Sequence, residues 1–112
     1  MSEGAIKNAV MKRLGKEPHS VVRKLHGNPF AVAGDPDILF IRRAMVDAGV
    51  REVLTEKPHL VPGVQIFAIE LKAPGEDATP IQKNRLADWR DAGATAFVAH
   101  SLAEVLAGVG LT

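Results

Sequence analysis

The chain has 112 residues, 46 % hydrophobic and 24 % charged, with fourteen Lys plus Arg against thirteen Asp plus Glu. That is one domain's worth, enough for a single core without staples, and its near-neutral balance excludes a histone-like, polybasic mode of nucleic-acid binding. The absence of cysteine removes disulfides, thiolate zinc sites, iron–sulfur clusters and a Cys nucleophile.

No apolar run approaches the ~18 residues of a membrane span. Met1 to Leu14 alternates polar and apolar residues and lacks the apolar block of a signal peptide. The expectation is a small soluble protein of the cytoplasm.

Ser2 to about Lys16 reads as a helix, with Ser2 as N-cap, Glu3 at the positive helix end and Ile6, Ala9, Val10 and Leu14 at helical spacing. Gly15 and Pro18 end it. Ser20 to Leu25 is a short β-branched strand, followed by the loop His26-Gly27-Asn28-Pro29. Asp35-Pro36-Asp37 leads into the apolar strand Ile38 to Ile41, and Pro36 suits only its very start.

Arg42 to Thr55 reads as a helix interrupted at Gly49, and Lys57 to Gly63, with two prolines, as loop. Val64 to Lys72 is the strongest strand, ended by Ala73-Pro74-Gly75. Thr79-Pro80 opens a helix to about Ala92 with Gly93 as its stop. Ala94 to Ala99 is a last strand, and Ser101 caps a helix over Leu102 to Ala107, with Glu104 in capping-box position. The order α-β-β-insert-β-α-β-α gives an α/β fold with one mixed sheet flanked by helices.

Strand alternation puts Gln65, Phe67, Ile69 and Leu71 on one face, and Val64, Ile66, Ala68, Glu70 and Lys72 on the other. A carboxylate and an ammonium thus share the end of a core strand. A solvated ion pair explains the same triplet equally well.

Asp37 stands at the mouth of the other apolar strand. If the strands are neighbours, Asp37 and Glu70 converge, and two close carboxylates stay ionised together only around a cation. Oxygen ligands suit Mg²⁺ or Mn²⁺ rather than zinc. Lys72 beside them can orient a water or neutralise a phosphate under attack. Asp-Pro-Asp is also good turn chemistry. Gln82 shares a helix face with Leu86 and Trp89, where an amide needs a partner or a job, and an exposed first-turn residue explains it equally well. Glu3 stacks with Ile6, Val10 and Leu14, and taken alone it is better explained by helix-dipole complementation. His19, His26, His59 and His100 show no metal-ligand spacing.

Together, Gly34 to Asp37, Glu70-Leu71-Lys72 at a strand end, Gln82 early in the next helix and Glu3 near the start resemble the PD-(D/E)XK nuclease superfamily. More narrowly, they are similar to the small VRR-NUC (virus-type replication–repair nuclease) domains. The likeness covers nearly the whole chain as a single domain, apart from an insert at about 42–63 where such domains have a tight hairpin. It implies a restriction-endonuclease-like core that hydrolyses DNA phosphodiester bonds. Mg²⁺, with Mn²⁺ able to substitute, would lie between Asp37 and Glu70, with the Leu71 carbonyl as a further ligand and Glu3 linked through water. Lys72 would position the attacking water, and Gln82 would orient Lys72 or a phosphate.

Stand-alone members resemble Holliday-junction resolvases and act as homodimers on branched DNA, in bacterial or phage replication and repair. The basic pairs Arg23 and Lys24, Arg42 and Arg43, with Lys83, are the candidate phosphate contacts. Two other readings stay open: a non-catalytic DNA-binding or assembly module, and a protein-binding domain that uses the insert.

Overall fold

The computed structural model describes residues 2–26, 31–51 and 53–112. The expected loop at 27–29 therefore lies outside the described residues. The elements follow as α1 (Glu3–Leu14), β1 (Ser20–Lys24), β2 (Ile38–Arg51), β3 (Pro58–Leu71), α2 (Pro80–Asp91), β4 (Thr95–Ala99) and α3 (Leu102–Gly108). The four strands form one sheet in the order β1-β2-β3-β4. The first three are antiparallel neighbours, and β4 joins β3 in parallel after the crossover through α2. The mixed α/β architecture matches the expectation.

Each face of the sheet is sealed by different helices. Ile6, Val10 and Leu14 of α1 and Val105 of α3 pack with Ile38, Phe40, Phe67, Ile69 and Leu71 in the main core. On the other face, Leu86 of α2 packs on Ala68 and Ala96, with Trp89 and Val98 at the margin. The small residues of that second cluster let α2 lie close to the strands. Gly34 serves the same approach from outside the sheet. Its φ is +83°, and a Cβ there would come within 2.8 Å of the Ile81 Cγ1.

The expected helix at Arg42–Thr55 and loop at Lys57–Gly63 are both overturned. These residues extend β2 and β3 into a long hairpin, paired from Arg42↔Gln65 through Asp47↔Leu60. Alternation explains it. Arg42, Ala44 and Val46 are half-buried while Arg43 and Met45 are exposed, and Val61, Gly63 and Gln65 alternate likewise with Pro62 and Val64.

The prolines that suggested loop are tolerated because β4 pairs β3 only from Phe67 onward. Pro62 can stand where its missing N–H would have faced the open edge. Gly63 is needed at its own place, since a Cβ there would lie 2.5 Å from Val46 Cγ2 across the hairpin. The arm gives the molecule extents of 50 × 29 × 28 Å.

The capping signals hold with one change. Ser2 Oγ accepts from Ala5 N–H at 3.2 Å, and Ser101 Oγ from Glu104 N–H at 3.1 Å. The Glu104 carboxylate, however, accepts from the His100 N–H rather than from the Ser101 N–H. The complete capping box is instead at α2, between Thr79 and Gln82.

Candidate metal centre

Asp37 lies just before the first ladder pair of β2, Ile38↔Ile69. Leu71 lies beyond the last residue of β3 that pairs with β2. Asp37 Oδ2 accepts from its N–H at 2.8 Å, while the Asp37 carbonyl accepts from Leu25 N–H at 2.9 Å. One residue thereby ties β1, β2 and β3 together where the ladder ends, and its side chain is held in one orientation.

Glu70, the next residue of β3 after the paired Ile69, is 1 % exposed. The first turn of α1 brings in Glu3. Oxygens from Glu3, Asp37 and Glu70 lie within 4.8 Å of one another.

The charges around this cluster are unequal. Lys72 Nζ stands 4.0 Å from Glu70 Oε1, and Lys7 Nζ lies 3.3 Å from Asp37 Oδ1. Glu70 Oε2 is buried without a hydrogen-bond partner. Burial first, and the neighbouring Asp37 carboxylate second, push the Glu70 carboxyl up to about 8, against the pull of Lys72.

A buried oxygen without a partner is costly unless something occupies it. An all-oxygen donor set with one such atom fits a hard divalent cation of the Mg²⁺ or Mn²⁺ type. The metal ligands expected from sequence, Asp37, Glu70 and Glu3, are thus brought together, and Lys72 with them.

The same arrangement of strands and helices occurs in solved structures. One, described as a VRR_NUC domain, superposes with a TM-score of 0.63 over 98 % of this chain and 97 % of its own, at 20 % identity. Another, a VRR_NUC domain protein, gives 0.61 over 98 % of this chain and 86 % of its own, at 21 % identity. The chain has the VRR_NUC fold. No family model and no curated protein matches the sequence.

Within this VRR_NUC fold the other expected residues scatter. The Gln82 side-chain oxygen accepts from Thr79 N–H at 2.8 Å, so that amide locks the start of α2. Arg42 is drawn into the fold. Its Nε donates to Gln65 Oε1 at 2.8 Å, its Nη2 donates to the Val109 carbonyl, and its guanidinium lies 5.4 Å over the Phe67 ring.

Arg23 and Arg43 are exposed. Through the register Arg23↔Leu39↔Ala68 and Arg43↔Val64 they share the sheet face of Glu70, whereas Lys24, opposite Ile38, is on the other. Lys83 pairs with Asp77 at 2.9 Å. A hollow of about 350 Å³ lies away from the carboxylates, on the arm, between Arg43, Ala44, Met45 and Pro62.

Two further residues stand at the centre. Lys7 is four residues after Glu3 in α1, so the helix presents both to the same side. That spacing was the available signal. His26 Nε2 lies 3.9 Å from Asp37 Oδ1 and 2.6 Å from the Asp35 carbonyl. Nothing in the spacing of the histidines marks it.

Proposed function

We propose that this chain is a metal-dependent endonuclease that hydrolyses DNA phosphodiester bonds. The observation that supports it best is the convergence of Glu3, Asp37 and Glu70, with Glu70 Oε2 unpartnered and Lys72 alongside. The VRR_NUC fold shared with the solved structures points the same way.

Asp37, Glu70 and Glu3 would hold Mg²⁺ or Mn²⁺, with the Leu71 carbonyl as a further donor. A cation there would supply Lewis-acid polarisation of a phosphoryl oxygen and of a water. Glu70 would serve that cation as the deprotonated carboxylate. Lys72, 12 % exposed at its side chain, is screened little by solvent. Its ammonium orients the attacking water by hydrogen bonding and offsets the negative charge that builds on the phosphate. Gln82, whose side-chain oxygen fixes the start of α2, would orient Lys72 or a phosphate with its remaining amide N–H groups.

Arg23 and Arg43, on the same sheet face as Glu70, are the phosphate contacts this reading favours. The substrate class is branched DNA, cut by two sites in a homodimer, in the cytoplasm of a bacterial or phage-infected cell. The arm at 42–63 is part of the same nuclease domain.

The test is cleavage of four-way junction, flap, nicked and linear duplex DNA with Mn²⁺, Mg²⁺ or EDTA, run beside Lys72→Ala. Metal-dependent products absent from the variant are expected, with paired symmetric cuts in the junction. DNA binding with no cutting of any substrate, and no saturable Mn²⁺ site that Asp37→Ala removes, would instead identify a binding module.

A further inference from the structure

Asp37 has two oxygens with different partners. Oδ2 accepts from the Leu71 N–H at 2.8 Å, whereas Oδ1 faces the Lys7 ammonium at 3.3 Å. His26 Nε2 is farther from Oδ1, at 3.9 Å, and lies 2.6 Å from the Asp35 carbonyl.

Lys7 differs from Lys72 in its setting. Its side chain is 25 % exposed against 12 %, and it reaches in from a helix surface rather than from the end of a core strand. A lysine on a flexible four-carbon stem can swing out to solvent without moving α1.

We propose that Lys7 is a displaceable counter-ion that occupies the cation side of Asp37 and competes with a divalent metal for it. This rests on the metal-centre reading above. Oδ2 already accepts the Leu71 N–H, which leaves Oδ1 the freer oxygen for a cation shared by Glu3, Asp37 and Glu70. Two positive charges on one carboxylate oxygen repel, so Lys7 leaves when the metal enters. α1 thus supplies both a ligand, Glu3, and the charge that ligation expels. In the metal-free protein, Lys7 offsets part of the negative charge of Asp37.

The experiment is calorimetric titration of the full chain with Mn²⁺ alone, without DNA, for wild type, Lys7→Gln, Lys7→Arg and Asp37→Asn. Removing the competing charge is expected to tighten Mn²⁺ about fivefold in Lys7→Gln, the upper worth of a part-exposed ion pair. Lys7→Arg keeps the charge and should not tighten. Unchanged or weaker binding in Lys7→Gln would overturn the proposal, because Lys7 would then only support Asp37. Equal tightening in Lys7→Arg would also overturn it, by making side-chain shape the cause. If wild type shows no Mn²⁺ binding that Asp37→Asn abolishes, the metal-centre reading itself fails, and this one with it.

Discussion

Replacing Glu70 by Gln should stabilise the metal-free protein, and do so more strongly as pH rises. The carboxyl titrates near 8 in the folded chain against 4.5 for a free side chain, because it is buried beside Asp37. Between those values the folded state holds a proton that the unfolded state has released. Stability therefore falls as pH climbs through this interval, by about 1.4 kcal/mol per unit, and levels off above the folded value. At pH 7 the accumulated cost is about 3 kcal/mol, or on the order of 10 °C in melting temperature for a domain of this size. Gln keeps the shape and cannot ionise.

The assay is thermal unfolding in EDTA at half-unit steps from pH 5 to 9, for both proteins. The gap between them should widen with pH and flatten above about 8. Any constant effect of the amide is common to all points and drops out. Saturating Mn²⁺ should close the gap by stabilising wild type alone. Two melting curves that stay parallel across the range would falsify the argument that Glu70 is held protonated by its surroundings.

Other residues separate structural from chemical roles. Asp37→Ala should cost about 1–3 kcal/mol in denaturant unfolding, since it strands the buried Leu71 N–H, whereas Asp37→Asn keeps an acceptor and should lose Mn²⁺ binding with less than half that cost. Arg42→Ala should lower stability by about 2 kcal/mol with Mn²⁺ affinity unchanged, because its guanidinium ties Gln65 and the Val109 carbonyl to the Phe67 ring. The exposed Arg43→Ala should leave melting unaltered and reduce the salt slope of DNA binding by about one. Gly63→Ala should destabilise by about 1–3 kcal/mol through its clash with Val46, and Val46→Ala in the same chain should recover most of it.

The site was legible wherever a polar residue broke an apolar pattern. Asp37 precedes Ile38 to Ile41, and Glu70 stands near the end of Val64 to Lys72, so the strand pattern puts both near strand ends. Lys7 stayed hidden because a lysine on a helix surface looks the same whether it faces water or a carboxylate. The capping role of Gln82 is hidden for a related reason. An amide three residues after Thr79 satisfies a helix-face pattern and a capping box alike, and only the hydrogen bond to Thr79 N–H separates them.

The arm was misread because Gly49, Pro58 and Pro62 are breakers in a strand with neighbours on both sides. They are harmless in a hairpin with an open edge. Arg42 looked like half of a basic pair, and its commitment to Gln65 and Val109 depends on partners distant in the chain.

The hairpin has a consequence for how the carboxylates meet. Asp37 and Glu70 are joined by no direct bond between their backbones. Their alignment is inherited from an unbroken row of pairs running from Asp47↔Leu60 down to Ile38↔Ile69. Slipping that zipper by one residue would leave Asp37 beside an aliphatic neighbour and turn its partner strand's side chains to the wrong side. The arm thus acts as a ruler whose far end sets the spacing at the near end. Insertions there are tolerated in matched numbers on both strands, and an unmatched one must be absorbed as a bulge, as happens between Asp47 and Arg51, before it reaches the acids.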